Sequence, residues 1–96
     1  MQFAIHAYDH TDSEAPNRRM AVRPNHLDMV KELKATGHYV LGGALLNPDN
    51  KMIGSLMIVE FENETQMNEL WLNEEPYILG KVWEKIDIKP FRAAQV

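Results

Sequence analysis

The chain has 96 residues, 45% of them hydrophobic and 25% charged, the composition of one small globular domain rather than of a disordered tail. Ten Lys and Arg against 14 Asp and Glu leave a formal charge of −4, so the net basic surface that non-specific nucleic-acid binding needs is missing. The absence of cysteine excludes disulfides, thiolate catalysis and cysteine-ligated metal, and no apolar run approaches the roughly 20 residues that span a bilayer; together these absences point to a cytoplasmic protein with no membrane partner.

Gln2 to Asp9 alternates as a strand, with Phe3, Ile5 and Ala7 on one face and Ala4, His6 and Tyr8 on the other. It reads as structure rather than as a charged-then-apolar leader. His10 to Ala21 is polar, contains Pro16 and Asn17, and reads as a long loop of the kind that carries function. Pro24 to Thr36 is the first helix. Pro24 suits a first helical turn, Asn25 and Asp28 suit its free N–H groups, and Gly37 closes it. Leu27, Val30 and Leu33 are expected to face inward. Tyr39 to Leu46 is the second strand, where Gly42-Gly43 suggests a bulge or a close approach by another group. The turn cluster Asn47 to Asn50 joins it to a third strand, Lys51 to Phe61, as a hairpin.

Asn63 to Asn73 is the second helix, opened by a capping-box pair, Asn63 and Gln66. Its stripe is Met67, Leu70, Trp71 and Glu74, which reads as core rather than as a cofactor contact. Pro76 begins a short turn to Gly80. Val82 to Phe91 is the last strand, with Val82, Glu84, Ile86 and Ile88 alternating against Trp83, Lys85, Asp87 and Lys89; a short tail follows. The order β-α-β-β-α-β predicts an α+β, ferredoxin-like fold with a four-stranded antiparallel sheet. Two helices cover one face of such a sheet. Strands two and three are nevertheless apolar on both faces, and a second copy packed sheet to sheet is the economical cover.

The chemistry concentrates in Arg18 to Leu33. His26, Val30 and Leu33 share one helical stripe, so His26 points the way the core face points, with Arg18, Arg19 and Arg23 just before it. Histidine is the side chain that changes charge near neutrality, and among cations it suits acid–base or anion-binding work. The competing reading is a structural histidine hydrogen-bonded to backbone or water. His6, Asp9, His10 and Asp12 could gather near the end of the first strand, but without HxH or HExxH spacing no metal is assigned. Gly42-Gly43 is neither a P-loop nor a dinucleotide fingerprint, and nothing in the chain requires a cofactor. Ser55 has no GxSxG elbow and reads as an ordinary strand residue. One of Glu74 and Glu75 is read as turning back to meet a cation or an imidazole.

These residues resemble the YciI-like (YCII-related) family from Phe3 to Arg92. The resemblance rests on R-x-x-x-R-P-x-H from Arg19 to His26, and on the acidic-Pro-Tyr element at Glu75-Pro76-Tyr77 followed by Lys89-Pro90-Phe91. It implies a single YCII-related domain over 1–96, a ferredoxin-like chain that dimerises through its sheets into a dimeric α/β barrel, and a His–acid pair in a pocket. The histidine falls on His26. The acid, aspartate in the family pattern, falls on Glu75, one methylene longer. Relatives of this fold include small-molecule lyases and muconolactone isomerases. The expectation is a cofactor-free lyase or isomerase that moves a proton on a small anionic or aromatic-derived molecule. His26 and Glu75 would be catalytic, with Arg19, Arg23, Tyr8 and His6 binding substrate. The alternative is a non-catalytic, dimeric ligand-binding or accessory module.

Overall fold

A computed structural model describes residues 1–96. The elements are β1 (Gln2–Asp9), α1 (Ala15–Ala35), β2 (Tyr39–Leu46), β3 (Met52–Glu60), α2 (Glu64–Leu70), a 3₁₀ turn (Leu72–Glu74), α3 (Pro76–Leu79) and β4 (Trp83–Phe91). The strands form one antiparallel sheet in the order β2-β3-β1-β4. Phe3, Ile5 and Ala7 of β1 and Met57 and Val59 of β3 pack against Leu33, Met67, Trp71 and Tyr77 from the helical layer, and this contact is the core. The other sheet face carries no element of this chain.

The first helix is longer than its sequence signals suggest. It begins at Ala15, with Pro16 rather than Pro24 in its first turn, so most of the expected loop is helical. Pro24 lies inside it. A mid-helix proline costs one backbone hydrogen bond, to the carbonyl four residues back. Pro24 and Met20 are both exposed, so water can take the carbonyl that lost its donor. The helix is held by what it buries, namely Ala15, Arg19, His26 and Leu33. Asn25 and Asp28 are therefore exposed mid-helix residues, not caps, and His26 sits far from the helix start. Leu27, expected inward, is 37% exposed, because the buried stripe runs through His26 instead. At the other end Gly37 takes φ +82°. His38 N–H reaches Leu33 O at 2.8 Å and Gly37 N–H reaches Lys34 O at 3.2 Å, the paired bonds of a Schellman stop.

Asn63 caps α2 by accepting from Gln66 N–H at 2.8 Å, while the Gln66 side chain accepts from Glu62 N–H at 2.7 Å. The α-helix ends at Leu70, which is exposed rather than part of a core stripe; Trp71 at φ −140° breaks the turn and Glu74 is exposed. In β2 the irregularities fall between Tyr39 and Leu41 and between Leu45 and Leu46, not at the glycine pair. Gly42 answers the close-approach reading: a Cβ there would meet Met57 Cγ at 3.1 Å and the Leu56 carbonyl at 3.2 Å.

β4 departs from simple alternation. Ala7 pairs with Ile86 and Tyr8 with Lys85, but Asp9 pairs with Trp83. The extra residue is a bulge, and it returns Trp83 to the helix side of the sheet beside Ile86 and Ile88. The open face runs through Leu41, Leu45, Leu56, Ile58, Ala4, His6 and Tyr8, bordered by Lys85, Asp87 and Lys89 on β4. Leu41 is 67% exposed there. No helix is long and apolar enough to cross a membrane.

Candidate functional site

Extending α1 back to Ala15 changes how its cations are placed. Arg19, Arg23 and His26 follow one another at i, i+4 and i+7, a single helical stripe, and all three line one cavity of about 100 Å³. Its other walls are Leu27 and Val30 of α1, Tyr39 and Gly42 to Ala44 of β2, Met52, Ser55 and Met57 of β3, and Tyr77 of α3.

The structure brings His26 and Glu75 together, with Nδ1 and Oε1 2.5 Å apart. Glu75 is wholly buried. It stands at the N-cap of α3, where Oε1 also accepts from Tyr77 N–H at 3.1 Å, and Oε2 accepts from Trp71 Nε1–H at 2.7 Å. Three N–H groups on one carboxylate leave it little freedom to rotate, and the buried charge is matched by donors rather than by water. The side chain therefore does not suffer at a helix C-terminus; it begins the next helix. The imidazole lies flat on the Tyr77 ring, centroids 4.0 Å apart and 14° from parallel. With Nδ1 turned to the carboxylate, Nε2 is the nitrogen left for proton transfer in the cavity.

Arg19 and Arg23 separate in role. Arg19 is 3% exposed and engaged. Its Nη1 donates to Asp9 Oδ1 at 2.9 Å and Oδ2 at 3.0 Å, and its Nη2 to Ser55 Oγ at 2.9 Å. Its guanidinium carbon lies 4.7 Å from the Tyr77 ring centroid, in cation–π range. Burial pushes the Asp9 carboxyl above its ordinary value, and Arg19 pulls it part of the way back. The Tyr77 phenol is likewise raised by burial, against Arg19 and Arg23, so it stays neutral at physiological pH. Arg23 is half-buried and has no ion pair or hydrogen bond within the chain. Arg18 takes no part: it pairs with Asp12 and the Lys81 carbonyl at the surface.

His6 and Tyr8 do not line this cavity. Even positions of β1 project to the open face, where the two rings lie 4.6 Å apart, away from Arg19, Arg23, His26 and Glu75 with which they were expected to gather. Asp9 was weighed only as a metal ligand, Ser55 was read as an ordinary strand residue, and Tyr77 entered only through the acidic-Pro-Tyr element; the parts that Trp71 and Trp83 play here were not legible. Ser55 and Asp9 lie on strands without a motif, and the bulge that turns Trp83 inward leaves no compositional mark.

Three comparisons place the chain. The family model for the YCII-related domain matches residues 1–92. Protein YciI of Escherichia coli is 31% identical over 98 residues, covering 96% of this chain and 97% of that one, and Protein YciI of Shigella flexneri matches equally. Among solved structures, the 5-chloro-2-hydroxyhydroquinone dehydrochlorinase TftG of Burkholderia phenoliruptrix AC1100, in complex with 2,5-dihydroxybenzoquinone, superposes with a TM-score of 0.83 at 21% identity, over 98% of this chain and 96% of that one. Rv0793 of Mycobacterium tuberculosis superposes more loosely, with a TM-score of 0.53 at 12% identity, over 98% and 97% of the two chains. The likeness to these structures gives the fold alone, the α+β, ferredoxin-like arrangement of a four-stranded antiparallel sheet under helices. The chain belongs to the YCII-related domain family.

Proposed function

We propose that this protein is a small-molecule enzyme that moves a proton, as a lyase or isomerase, on a small anionic or aromatic-derived compound held in the Arg23–His26 cavity. The observation that carries the reading is the His26–Glu75 pair at 2.5 Å, with the acid wholly buried and fixed by two further N–H donors. Glu75 holds the imidazole as the tautomer with its proton on Nδ1. Nε2 then takes a proton from the substrate and returns it, and Arg23 holds the oxyanion through charge-assisted bonds. That TftG is a dehydrochlorinase bound to a dihydroxyquinone supports a ring-sized, oxygen-rich substrate.

The test is turnover of 5-chloro-2-hydroxyhydroquinone and related hydroxylated rings, followed by absorbance. His26→Ala should lower kcat by roughly 10² to 10⁴-fold, and Glu75→Gln should also lower it. Turnover unchanged in His26→Ala would overturn the mechanism. Ligand bound but returned unaltered by the wild type would favour the binding-module reading.

The open apolar face supports a second proposal, a dimer formed sheet to sheet. Exposed Leu41 and Leu56 with half-buried Ile58 form a patch that a monomer has little reason to keep wet. Light scattering should give twice the chain mass, and Leu41→Glu with Ile58→Glu should give monomers; a monomeric wild type would refute this.

A further inference from the structure

Ser55 stands in the cavity wall with its oxygen already committed. Arg19 Nη2 donates to Oγ at 2.9 Å and Trp83 Nε1 donates to it at 3.1 Å. A guanidinium and an indole N–H are donors only. The two bonds therefore use both lone pairs of the hydroxyl, and its proton is what it has left to offer a ligand. Its own proton has no acceptor in the chain. In the same cluster Arg19 Nε is buried and also without a partner. Ser55 itself is 3% exposed and still lines the cavity. A hydroxyl that accepts two hydrogen bonds, one of them from a cation, is polarised towards donating.

We propose that Ser55 is a ligand-binding residue whose O–H donates to an anionic oxygen (carboxylate, phenolate or enolate) of the molecule in the cavity, with Arg19 and Trp83 as positioning residues that fix its direction. This rests on the reading of the cavity given above and adds to it: the ligand presents oxygen both to α1, at Arg23, and to the sheet, at Ser55.

The experiment is titration of the wild type and of Ser55→Ala, Arg23→Ala and His26→Ala with 2,5-dihydroxybenzoquinone, with the fold of each variant checked by circular dichroism. Loss of one hydrogen bond to a charged oxygen should weaken binding to Ser55→Ala by roughly ten- to a hundredfold. Wild-type binding that falls in Arg23→Ala but not in Ser55→Ala overturns the Ser55 assignment and leaves the cavity reading standing. No binding by the wild type, or equal binding by Arg23→Ala and His26→Ala, overturns both. Ser55→Ala also strips an acceptor from Arg19 and Trp83. Should it fail to fold, a crystal structure of the wild-type complex decides: a ligand oxygen within hydrogen-bond distance of Ser55 Oγ supports the assignment, and none there overturns it.

Discussion

The two arginines facing the cavity are one residue type doing different work, and truncation separates them. Arg19→Ala leaves the Asp9 carboxyl buried without its cation and takes one of its two donors from Ser55, a cost of roughly 3–5 kcal/mol. Arg23 has nothing to strand, so Arg23→Ala should shift stability by no more than about 0.5 kcal/mol while removing ligand affinity. Denaturant melts of the two variants check this, and equal destabilisation would contradict it. The sequence exposed the residue types here but not their partners. His26 was legible because its stripe with Val30 and Leu33 was, and Glu75 because of the resemblance at Glu75-Pro76-Tyr77. Asp9, Ser55 and Trp83 were not, because the contacts that matter join β1, α1, β3 and β4, and no local pattern encodes them.

At the scale of elements, the strands were legible to within a residue at their ends, since period-two alternation and the Asn47–Asn50 turn mark them clearly. The first helix was not. Pro24 is a strong start signal, and it was overridden by burial of one face from Ala15 to Leu33. Reading the helix from Pro24 also hid the common stripe of Arg19, Arg23 and His26. If Pro24 is tolerated rather than required, Pro24→Ala should restore the missing bond. The expected gain is about 1–2 kcal/mol, after allowing for the greater freedom of the unfolded chain. Thermal melts showing a lower midpoint would mean that the proline supports the fold instead. The bulge in β4 was likewise silent, because Val82-Trp83-Glu84 alternates as well in either register.

For the molecule as a whole, acid should act through a few surface carboxylates. Arg18 holds Asp12 down to about 2, Lys89 lowers Asp87, and the N-terminal ammonium lowers Glu60. A carboxyl whose folded value lies below its unfolded value stabilises the fold above the unfolded value and loses that contribution as pH falls. For Asp12 the window runs from 3.8 down to about 2. Asp9 is raised and works the other way, favouring the fold as it takes up a proton. The melting temperature should therefore fall through this window, less steeply in Asp12→Asn and less steeply at high salt, where exposed pairs are screened. A wild-type slope that Asp12→Asn leaves unchanged would assign the acid sensitivity elsewhere. The uncovered sheet face was readable only as an excess of apolar surface, which names a missing cover but not its shape.

Arg23 and His26 are three residues apart on the same helix, about 4.5 Å along its axis at 1.5 Å per residue. Both side chains leave one stiff stretch of backbone. On the function proposed above, anything that tilts or unwinds α1 would displace the anion-binding group and the proton-transferring group together, never one without the other.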